Sequence, residues 1–256
     1  RLCIIVPYRE RFDELLEFAP HMKAFLGRQK IDYEIYVINQ IDGYRFNRAS
    51  LINVGFIVTE SKCDYIALHD VDLFPNNDEL SYAFPGVGVA FHVSAPGLHP
   101  RYAFDTFLGG ILLLTRMDFE KINGLSNNYW GWGMEDDEMR ARLLEATIEI
   151  RRPGDLSTGP SRTFKHFHSP KKRHRDEYKC YNQREVTRKR DRLTGLTTVK
   201  YRIDKQRSVV IDDSPVVLVN VILECDAAKT PWCNCTGVPY EKPKKYVRDP
   251  DVIAPK

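Results

Sequence analysis

The stretch Tyr65-Ile66-Ala67-Leu68-His69-Asp70-Val71-Asp72 places an acid-x-acid motif directly behind a short apolar run. The run has the length of a buried strand, and in open α/β sheets ligands bind outside the carboxyl ends of the strands. Strand alternation predicts that Asp70 and Asp72 point to one side, with Val71 opposite. Carboxylates suit Mg²⁺ and Mn²⁺, so the motif predicts a site that holds a divalent cation against a phosphate. The alternative is a polar turn that caps the next element.

The residues before this stretch alternate between strand and helix patterns. The order is Leu2–Pro7 (strand), Phe12–Leu26 (helix), Tyr33–Asn39 (strand), Phe46–Phe56 (helix) and Tyr65–Leu68 (strand). Pro20 predicts a kink or a restart within the first helix. This order predicts right-handed βαβ units and a parallel sheet. Later strand patterns lie at Val87–Val93, Gly109–Leu114, Thr197–Val210 and Ser214–Glu224.

Two pairs of arginines follow the first two predicted strands. Arg9 and Arg11 come after the first strand, and Arg45 and Arg48 come after the second. In a parallel sheet these strand ends lie at the same edge as the acid-x-acid motif. Guanidinium groups suit phosphate oxygens, and an aromatic ring such as Phe46 can stack on a base. Any one of these arginines is ordinarily a surface residue, but four at one edge favour a phosphate site.

An aromatic loop runs directly into a cluster of acids. Trp130-Gly131-Trp132-Gly133 precedes Glu135-Asp136-Asp137-Glu138, which opens a helix predicted over Asp137–Ala146. Glycines permit backbone excursions, and indole rings offer the flat surface on which sugars stack. Acids in a first helical turn are ordinarily dipole or capping residues, but four behind such a loop predict that one is a general base. A sugar-binding module without turnover is the alternative.

The segment H-F-H places His166 and His168 on the same face of an extended stretch. This is a metal-ligand spacing. With Asp72 and the phosphates of a substrate, the two imidazoles predict a shell for Mn²⁺. Phosphoester hydrolysis is a second reaction that such a metal site would serve. His92 and His99 are interpreted as structural.

Cysteine placement indicates an oxidising compartment. Cys3 and Cys63 lie in or beside apolar strands and are interpreted as buried thiols. The four later cysteines allow three pairings, and a structural zinc site is the competing interpretation. Cys233 and Cys235 are too close to bridge comfortably, which leaves two pairings, and we favour one of them. The predicted disulfides are Cys225–Cys233 and Cys180–Cys235.

Asn234 begins a glycosylation sequon, which together with the cysteines favours a secretory lumen. The net charge of +3 argues against a dedicated nucleic-acid-binding protein, which would carry a strong basic excess. The chain shows no apolar run of about 18 residues. Lys171–Arg192 is highly charged and is predicted to be a solvated helix, with contact to an anionic acceptor as the alternative.

Taken together, these motifs resemble the β-1,4-galactosyltransferase family. P-Y-R-E-R at 7–11, F-N-R-A at 46–49, H-D-V-D at 69–72 and W-G-W-G-x-E-D-D at 130–137 follow that family's order and spacing. Common members carry Met-x-x-His as later metal ligands. The sequence His166-Phe167-His168 is instead similar to the branch that adds galactose to xylose in the glycosaminoglycan linkage region.

The resemblance implies a GT-A fold, which is a Rossmann-like mixed sheet with helices on both faces. It implies one catalytic domain over residues 1–236, followed by a Pro- and Lys-rich tail over residues 237–256. The implied donor is UDP-galactose, the cofactor is Mn²⁺, and the acceptor is a xylosylated proteoglycan core protein or a β-xyloside. The implied location is the Golgi lumen, as a type II membrane protein whose membrane anchor is absent from this sequence.

The resemblance also implies residue roles by position. Asp136 would be the general base. The Mn²⁺ ligands would be Asp72, His166 and His168. The donor site would contain Pro7, Arg9, Arg11, Phe46, Arg48, Asp70, Val71 and Trp132. The acceptor site would contain Trp132, Gly133, Glu135, Asp137 and Phe107.

Phe107 stands where related enzymes carry a Tyr that helps to choose the donor sugar, so its missing hydroxyl bears on discrimination between galactose and its N-acetylated analogue. The implied reaction is a single inverting displacement. We expect Gly131-Trp132-Gly133 and the segment after His168 to close over the bound donor, so that metal and donor bind before the acceptor. N-acetylglucosamine is the alternative acceptor.

Overall fold

The computed structural model describes residues 1–167 and 173–241. The strands are β1 (Leu2–Tyr8), β2 (Tyr33–Gln40), β3 (Tyr65–His69), β4 (Leu73–Pro75), β5 (Val89–His92), β6 (Ile111–Thr115), β7 (Glu149–Arg151), β8 (Phe164–His166), β9 (Tyr201–Ile211) and β10 (Ser214–Leu223). The helices are α1 (Phe12–Arg28), α2 (Arg48–Val58), α3 (Arg116–Lys121), α4 (Glu135–Glu145), α5 (Pro160–Thr163) and α6 (Gln183–Val186). A 3₁₀ turn covers Pro231–Cys233.

Eight strands form one mixed sheet in the order β7-β5-β6-β3-β1-β2-β10-β9. The central strands β3, β1, β2 and β10 run parallel to one another. β6 and β9 run antiparallel to their central neighbours, and β7 pairs parallel with β5. The parallel part agrees with the βαβ prediction, and the antiparallel strands extend it on both sides into the predicted mixed sheet.

Alternation along the central strands divides the core into two layers. In β1, Leu2, Ile4 and Val6 face the layer that α1 covers, whereas Cys3 and Ile5 face the layer packed by α2, α3 and α4. All five side chains are fully buried. Helices therefore cover both faces of the sheet, as predicted.

The expected restart of α1 at Pro20 is wrong, because one helix runs through this residue. An internal proline removes a hydrogen bond and costs roughly 3 kcal/mol. Phe18 and Met22 flank Pro20 and are fully buried against the sheet. Burying two such side chains contributes roughly 1.5–3 kcal/mol each, which offsets the loss.

The prediction of a helix over Lys171–Arg192 is also wrong for the part that the structure describes. Within residues 173–192 only Gln183–Val186 is helical. The preceding residues are held by contacts outside the segment, including the hydrogen bond from Trp132 N–H to the Asp176 carbonyl at 2.8 Å. Tertiary contacts here override a local charge pattern.

Cys3 and Cys63 form a disulfide, so their interpretation as free thiols is wrong. Cys63 lies just before β3, and β3 pairs with β1, which contains Cys3. The two Cα atoms are 5.7 Å apart, within the usual range for a disulfide. Because 60 residues separate the two cysteines in the sequence, no local pattern indicates that they are paired. The remaining cysteines are bonded as predicted from the sequence: Cys180–Cys235 and Cys225–Cys233.

Within residues 1–167 and 173–241, no helix combines the length and the apolar character needed to cross a bilayer.

Candidate active site

A cleft with a volume of about 800 Å³ opens where β1, β2 and β3 end. This is the edge at which open α/β sheets bind ligands, and the size suits a substantial ligand. His168 lies outside the described residues. The other predicted site residues all line the cleft: Pro7, Arg9, Arg11, Phe46, Arg48, Asp70, Val71, Asp72, Phe107, Trp132, Gly133, Glu135, Asp136, Asp137 and His166.

The acid-x-acid motif occupies a turn between β3 and β4, because β3 ends at His69. The acids therefore do not lie on a strand, so strand alternation is not what orients them, although both line the cleft. Val71 also borders the cleft and is buried, at 6% exposure, in the core layer that α1 covers. The Asp70 N–H donates to the Gly110 carbonyl at 3.1 Å, which anchors the turn to the residue before β6.

A separate two-stranded sheet, β4 with β8, brings Asp72 and His166 together. Leu73 pairs with His166 in this sheet, and the Phe167 N–H donates to the Asp72 carbonyl at 2.8 Å. Asp72 Oδ1 and His166 Nε2 are 3.7 Å apart. Two donor atoms that each lie about 2 Å from one metal ion have a separation of this order. The carboxylate and the imidazole therefore fit a divalent metal site.

His99 also lines this part of the cleft, although the sequence indicated only a structural role. Its ring centroid is 5.5 Å from that of His166. Burial, reinforced by the nearby His166, lowers the pKa of His99 to about 3, so its imidazole is neutral at physiological pH. Nothing in the local sequence distinguishes His99 from other histidines. Within the described parts of the chain, no cluster of three His, Cys, Asp or Glu side chains forms a metal site.

Arg48 joins the acid-x-acid turn to the start of α4. Its Nη2 lies 2.8 Å from Asp70 Oδ1, and its Nη1 lies 4.0 Å from Glu135 Oε1. Burial favours the neutral guanidinium, but the two carboxylates outweigh it and raise the pKa of Arg48. Burial also raises the pKa of Glu135, against the opposing charge of Arg48. The cation thus links two acids that are far apart in the sequence.

Asp136 lies on the first turn of α4 and points into the cleft. A Cβ atom added to Gly109 would lie 3.0 Å from Asp136 Oδ2, so a side chain at this position would crowd the carboxylate. Burial, followed by the negative charges of Glu135 and Asp137, raises the pKa of Asp136 to about 7. A carboxyl group with this pKa can exchange a proton near neutral pH.

The two glycines of the aromatic loop have positive φ angles, +77° at Gly131 and +102° at Gly133. Residues with a Cβ rarely adopt this backbone. A Cβ at Gly131 would also collide with the guanidinium of Arg45. Trp132 between them is 45% exposed and presents its ring to the cleft. Lys179 Nζ donates to the Trp132 carbonyl at 2.8 Å.

Arg45 does not belong to a phosphate site, so that part of the arginine prediction is wrong. Its guanidinium forms a two-pronged ion pair with Asp176, with Nε–Oδ2 at 2.6 Å and Nη2–Oδ1 at 2.9 Å. It also donates to the Tyr178 carbonyl and to Gln183 Oε1. Arg45 therefore holds residues 176–183 against the aromatic loop.

Arg9 and Arg11 both line the cleft but are also held by nearby groups. Arg9 donates to the carbonyls of Gln40 and Tyr44, and Arg11 Nη1 lies 3.4 Å from Glu14 Oε1. Both side chains remain about one quarter exposed, at 23% and 24%. They can therefore still present N–H groups to a ligand.

Several residues of the cleft carried no recognised signal in the sequence. Tyr102 and Phe104 form a wall with Phe107, with ring centroids 4.7 Å and 5.6 Å from the Phe107 ring. Arg175 and Tyr240 also line the cleft. Tyr240 belongs to the predicted tail, of which residues 237–241 are described and residues 242–256 lie outside the described residues.

Comparison with known proteins places this geometry in a family. Residues 1–85 match the family described as the N-terminal region of glycosyl transferase group 7, and residues 89–167 match the family described as the N-terminal domain of galactosyltransferase. The chain is 52% identical over 237 residues to β-1,4-galactosyltransferase 7 of Drosophila melanogaster, which covers 93% of this chain and 74% of that protein. The chain belongs to the β-1,4-galactosyltransferase family.

Two further similarities support the family assignment. The chain is 47% identical over 236 residues to xylosylprotein 4-β-galactosyltransferase of Caenorhabditis elegans, which covers 91% of this chain and 82% of that protein. The catalytic domain of the Drosophila β-1,4-galactosyltransferase 7, crystallised with xylobiose, superposes with a TM-score of 0.90 over 91% of this chain and 98% of that one. A mutant of the Drosophila enzyme has been crystallised with manganese, UDP-Gal and xylobiose. The fold is therefore the GT-A-type fold of this family.

Proposed function

We propose that this protein transfers galactose from UDP-galactose to the 4-hydroxyl of β-xylose on proteoglycan core proteins, with Mn²⁺ as cofactor. The Drosophila β-1,4-galactosyltransferase 7 and the Caenorhabditis xylosylprotein 4-β-galactosyltransferase are 52% and 47% identical to this chain. Each alignment covers more than 90% of the chain. The observation that carries the proposal is the position of Asp136, in the cleft beside an exposed tryptophan and with a pKa raised to about 7.

Asp136 is the general base of this reaction. Its carboxylate accepts the proton of the xylose 4-hydroxyl while that oxygen forms a bond to C1 of galactose. The bond between C1 and the diphosphate oxygen breaks, and UDP leaves with the electron pair. The attack from the opposite side inverts C1 through an oxocarbenium-like transition state. Gly109 and Phe107 hold the space beside the carboxylate.

Asp72, His166 and His168 hold Mn²⁺ in this proposal. The support is the 3.7 Å approach of Asp72 Oδ1 and His166 Nε2. When bound, Mn²⁺ stabilises negative charge on the departing diphosphate. The donor is bound by the residues at the strand ends: Pro7, Arg9, Arg11, Phe46, Arg48, Asp70 and Val71.

Trp132 supplies the stacking surface shared by the two sugars, because this residue lines the cleft and is 45% exposed. The acceptor site is completed by Gly133, Glu135, Asp137 and Phe107. The loop around Trp132 is held from one side through the Asp176 carbonyl and Lys179 Nζ. Binding of donor and metal before the acceptor follows if this loop closes over them.

The same proposal locates the catalytic domain in the Golgi lumen. Three disulfides support a secretory, oxidising compartment. Asn234 is exposed between two disulfide-bonded cysteines, where a glycan can be accommodated.

The reaction should depend on pH in the direction set by Asp136. The protonated carboxyl cannot accept a proton, so kcat/KM for the acceptor should rise with pH and level off above about 7. Asp137→Asn removes one of the negative charges that raise this pKa and should move the midpoint to lower pH. Initial rates at saturating Mn²⁺ and donor between pH 5 and 9 measure both effects. A profile that is flat across this range would contradict the assignment.

The proposed function is tested by Mn²⁺-dependent release of UDP from UDP-galactose. We expect a 4-nitrophenyl β-xyloside to stimulate release strongly and N-acetylglucosamine to do so weakly. Mass spectrometry of the product should show one added hexose on the xyloside. Stronger stimulation by N-acetylglucosamine would reassign the acceptor. Sugar binding without UDP release would indicate a silent binding module, and phosphate release without an acceptor would indicate a hydrolase.

A further inference from the structure

The guanidinium of Arg175 links the two aromatic walls of the cleft. Its Cζ lies 4.8 Å from the centroid of the Trp132 ring and 5.6 Å from that of the Tyr102 ring. Both distances are typical of cation–π contacts. Since Trp132 and Tyr102 come from different segments of the chain, Arg175 lies between the two sides of the opening.

Arg175 has no carboxylate partner among the described residues, in contrast to the nearby arginines Arg173 and Arg45. Arg173 pairs with Glu14 at 2.7 Å, and Arg45 pairs with Asp176 at 2.6 Å. The described contacts of the Arg175 side chain are instead with the two aromatic rings. A guanidinium whose face contacts aromatic rings keeps its N–H donors at its own edge, in the plane of the guanidinium, where they can bind a carboxylate in two-pronged fashion.

The aromatic wall beneath Arg175 runs from the base toward solvent. Phe107 packs beside Gly109 and Asp136 and is only 5% exposed, whereas Phe104 at the outer end is 53% exposed. Tyr102 contacts both rings, and the Phe104 and Phe107 rings also contact each other, with centroids 5.6 Å apart. A polypeptide attached to a sugar held near Asp136 therefore has an exit along this wall, past Arg175.

We propose that Arg175 binds a carboxylate of the acceptor polypeptide next to the xylosylated residue and thereby determines acceptor specificity. This inference rests on the proposed function, because it requires a sugar bound near Asp136 and a polypeptide leaving the cleft. The site takes an acidic side chain, and the contacts with Trp132 and Tyr102 place the guanidinium that receives it between the two walls of the cleft.

The test uses two xylosylated peptides that differ only in one residue next to the xylosylated serine, Glu in one and Gln in the other. Wild type should use the Glu peptide with roughly tenfold higher kcat/KM at low ionic strength, mainly through a lower KM. Arg175→Gln should abolish this preference while the rate with the Gln peptide stays within about twofold. Arg175→Lys should keep part of the preference, since it keeps the charge and loses the planar fork.

Arg207→Gln is the matched control, because Arg207 is an exposed arginine on β9 at the far edge of the sheet. It should leave the preference for the Glu peptide unchanged, and 0.5 M NaCl should reduce that preference in wild type. Equal losses with both peptides in Arg175→Gln would overturn the proposal, as would a raised KM for UDP-galactose. If wild type galactosylates neither peptide nor a simple β-xyloside, the proposed function itself fails.

Discussion

Replacing Asp136 by Asn is expected to lower kcat for galactosyl transfer by roughly 10³-fold while UDP and Mn²⁺ still bind. General-base catalysis typically contributes 10²–10⁴-fold, and Asn keeps the size of the side chain but cannot accept the proton. Asp136 lies in the cleft at the start of α4, against Gly109. Steady-state rates with a β-xyloside measure the loss, and calorimetric titration with UDP and Mn²⁺ measures binding.

Glu145→Gln is the control for loss of an acid from the same helix. Glu145 ends α4, is exposed and pairs with Arg192 outside the cleft. Its kcat should match wild type. Near-normal turnover in Asp136→Asn would remove Asp136 from the role of base.

Asp136→Asn should also stabilise the fold, which separates loss of activity from loss of structure. Because the pKa of Asp136 is raised to about 7 in the folded protein, its ionisation opposes folding. The cost is absent below about pH 4, where both states are protonated, and it reaches its full size above about pH 7. Asp136→Asn should therefore raise Tm by roughly 3–6 °C at pH 8 and by little at pH 4. A lower Tm at pH 8 would contradict the burial argument.

Replacing His166 by Ala is expected to raise the Mn²⁺ concentration needed for half-maximal activity by roughly 10²-fold. The substitution removes the imidazole that faces Asp72 at 3.7 Å and leaves an incomplete set of ligands. The second measurement does not depend on turnover: the spectrum of free Mn²⁺ in paramagnetic resonance should decrease on titration with wild type and UDP, but much less with His166→Ala.

His174→Ala is the comparison for removal of an imidazole from the same cleft. His174 is exposed and lies outside the β4–β8 pair that brings Asp72 and His166 together. Its Mn²⁺ titration should follow that of wild type. An unchanged titration in His166→Ala would return the histidine pair to a structural role.

Local patterns were reliable where they recorded a repeating physical constraint. The nearly continuous apolar runs of β1, β2 and β3 reflect strands buried on both faces, and the predicted βαβ order agrees with the structure. Placement of the acid-x-acid motif at the edge of the sheet followed from the same constraint, although its side chains are oriented by a turn. The effect of Pro20 on the helix was overestimated, because packing of α1 on the sheet outweighs the hydrogen bond that proline removes.

The amino-acid sequence alone determined the order of elements, the edge of the sheet at which ligands bind and the motifs that identify the family. It could not reveal the Cys3–Cys63 disulfide or the ion pair between Arg45 and Asp176. It also could not show that His99 and Arg175 line the cleft. These contacts join segments that lie far apart along the chain. The physical reason is that a local pattern reports which face of an element is buried, whereas a partner across the cleft depends on how all the elements pack together.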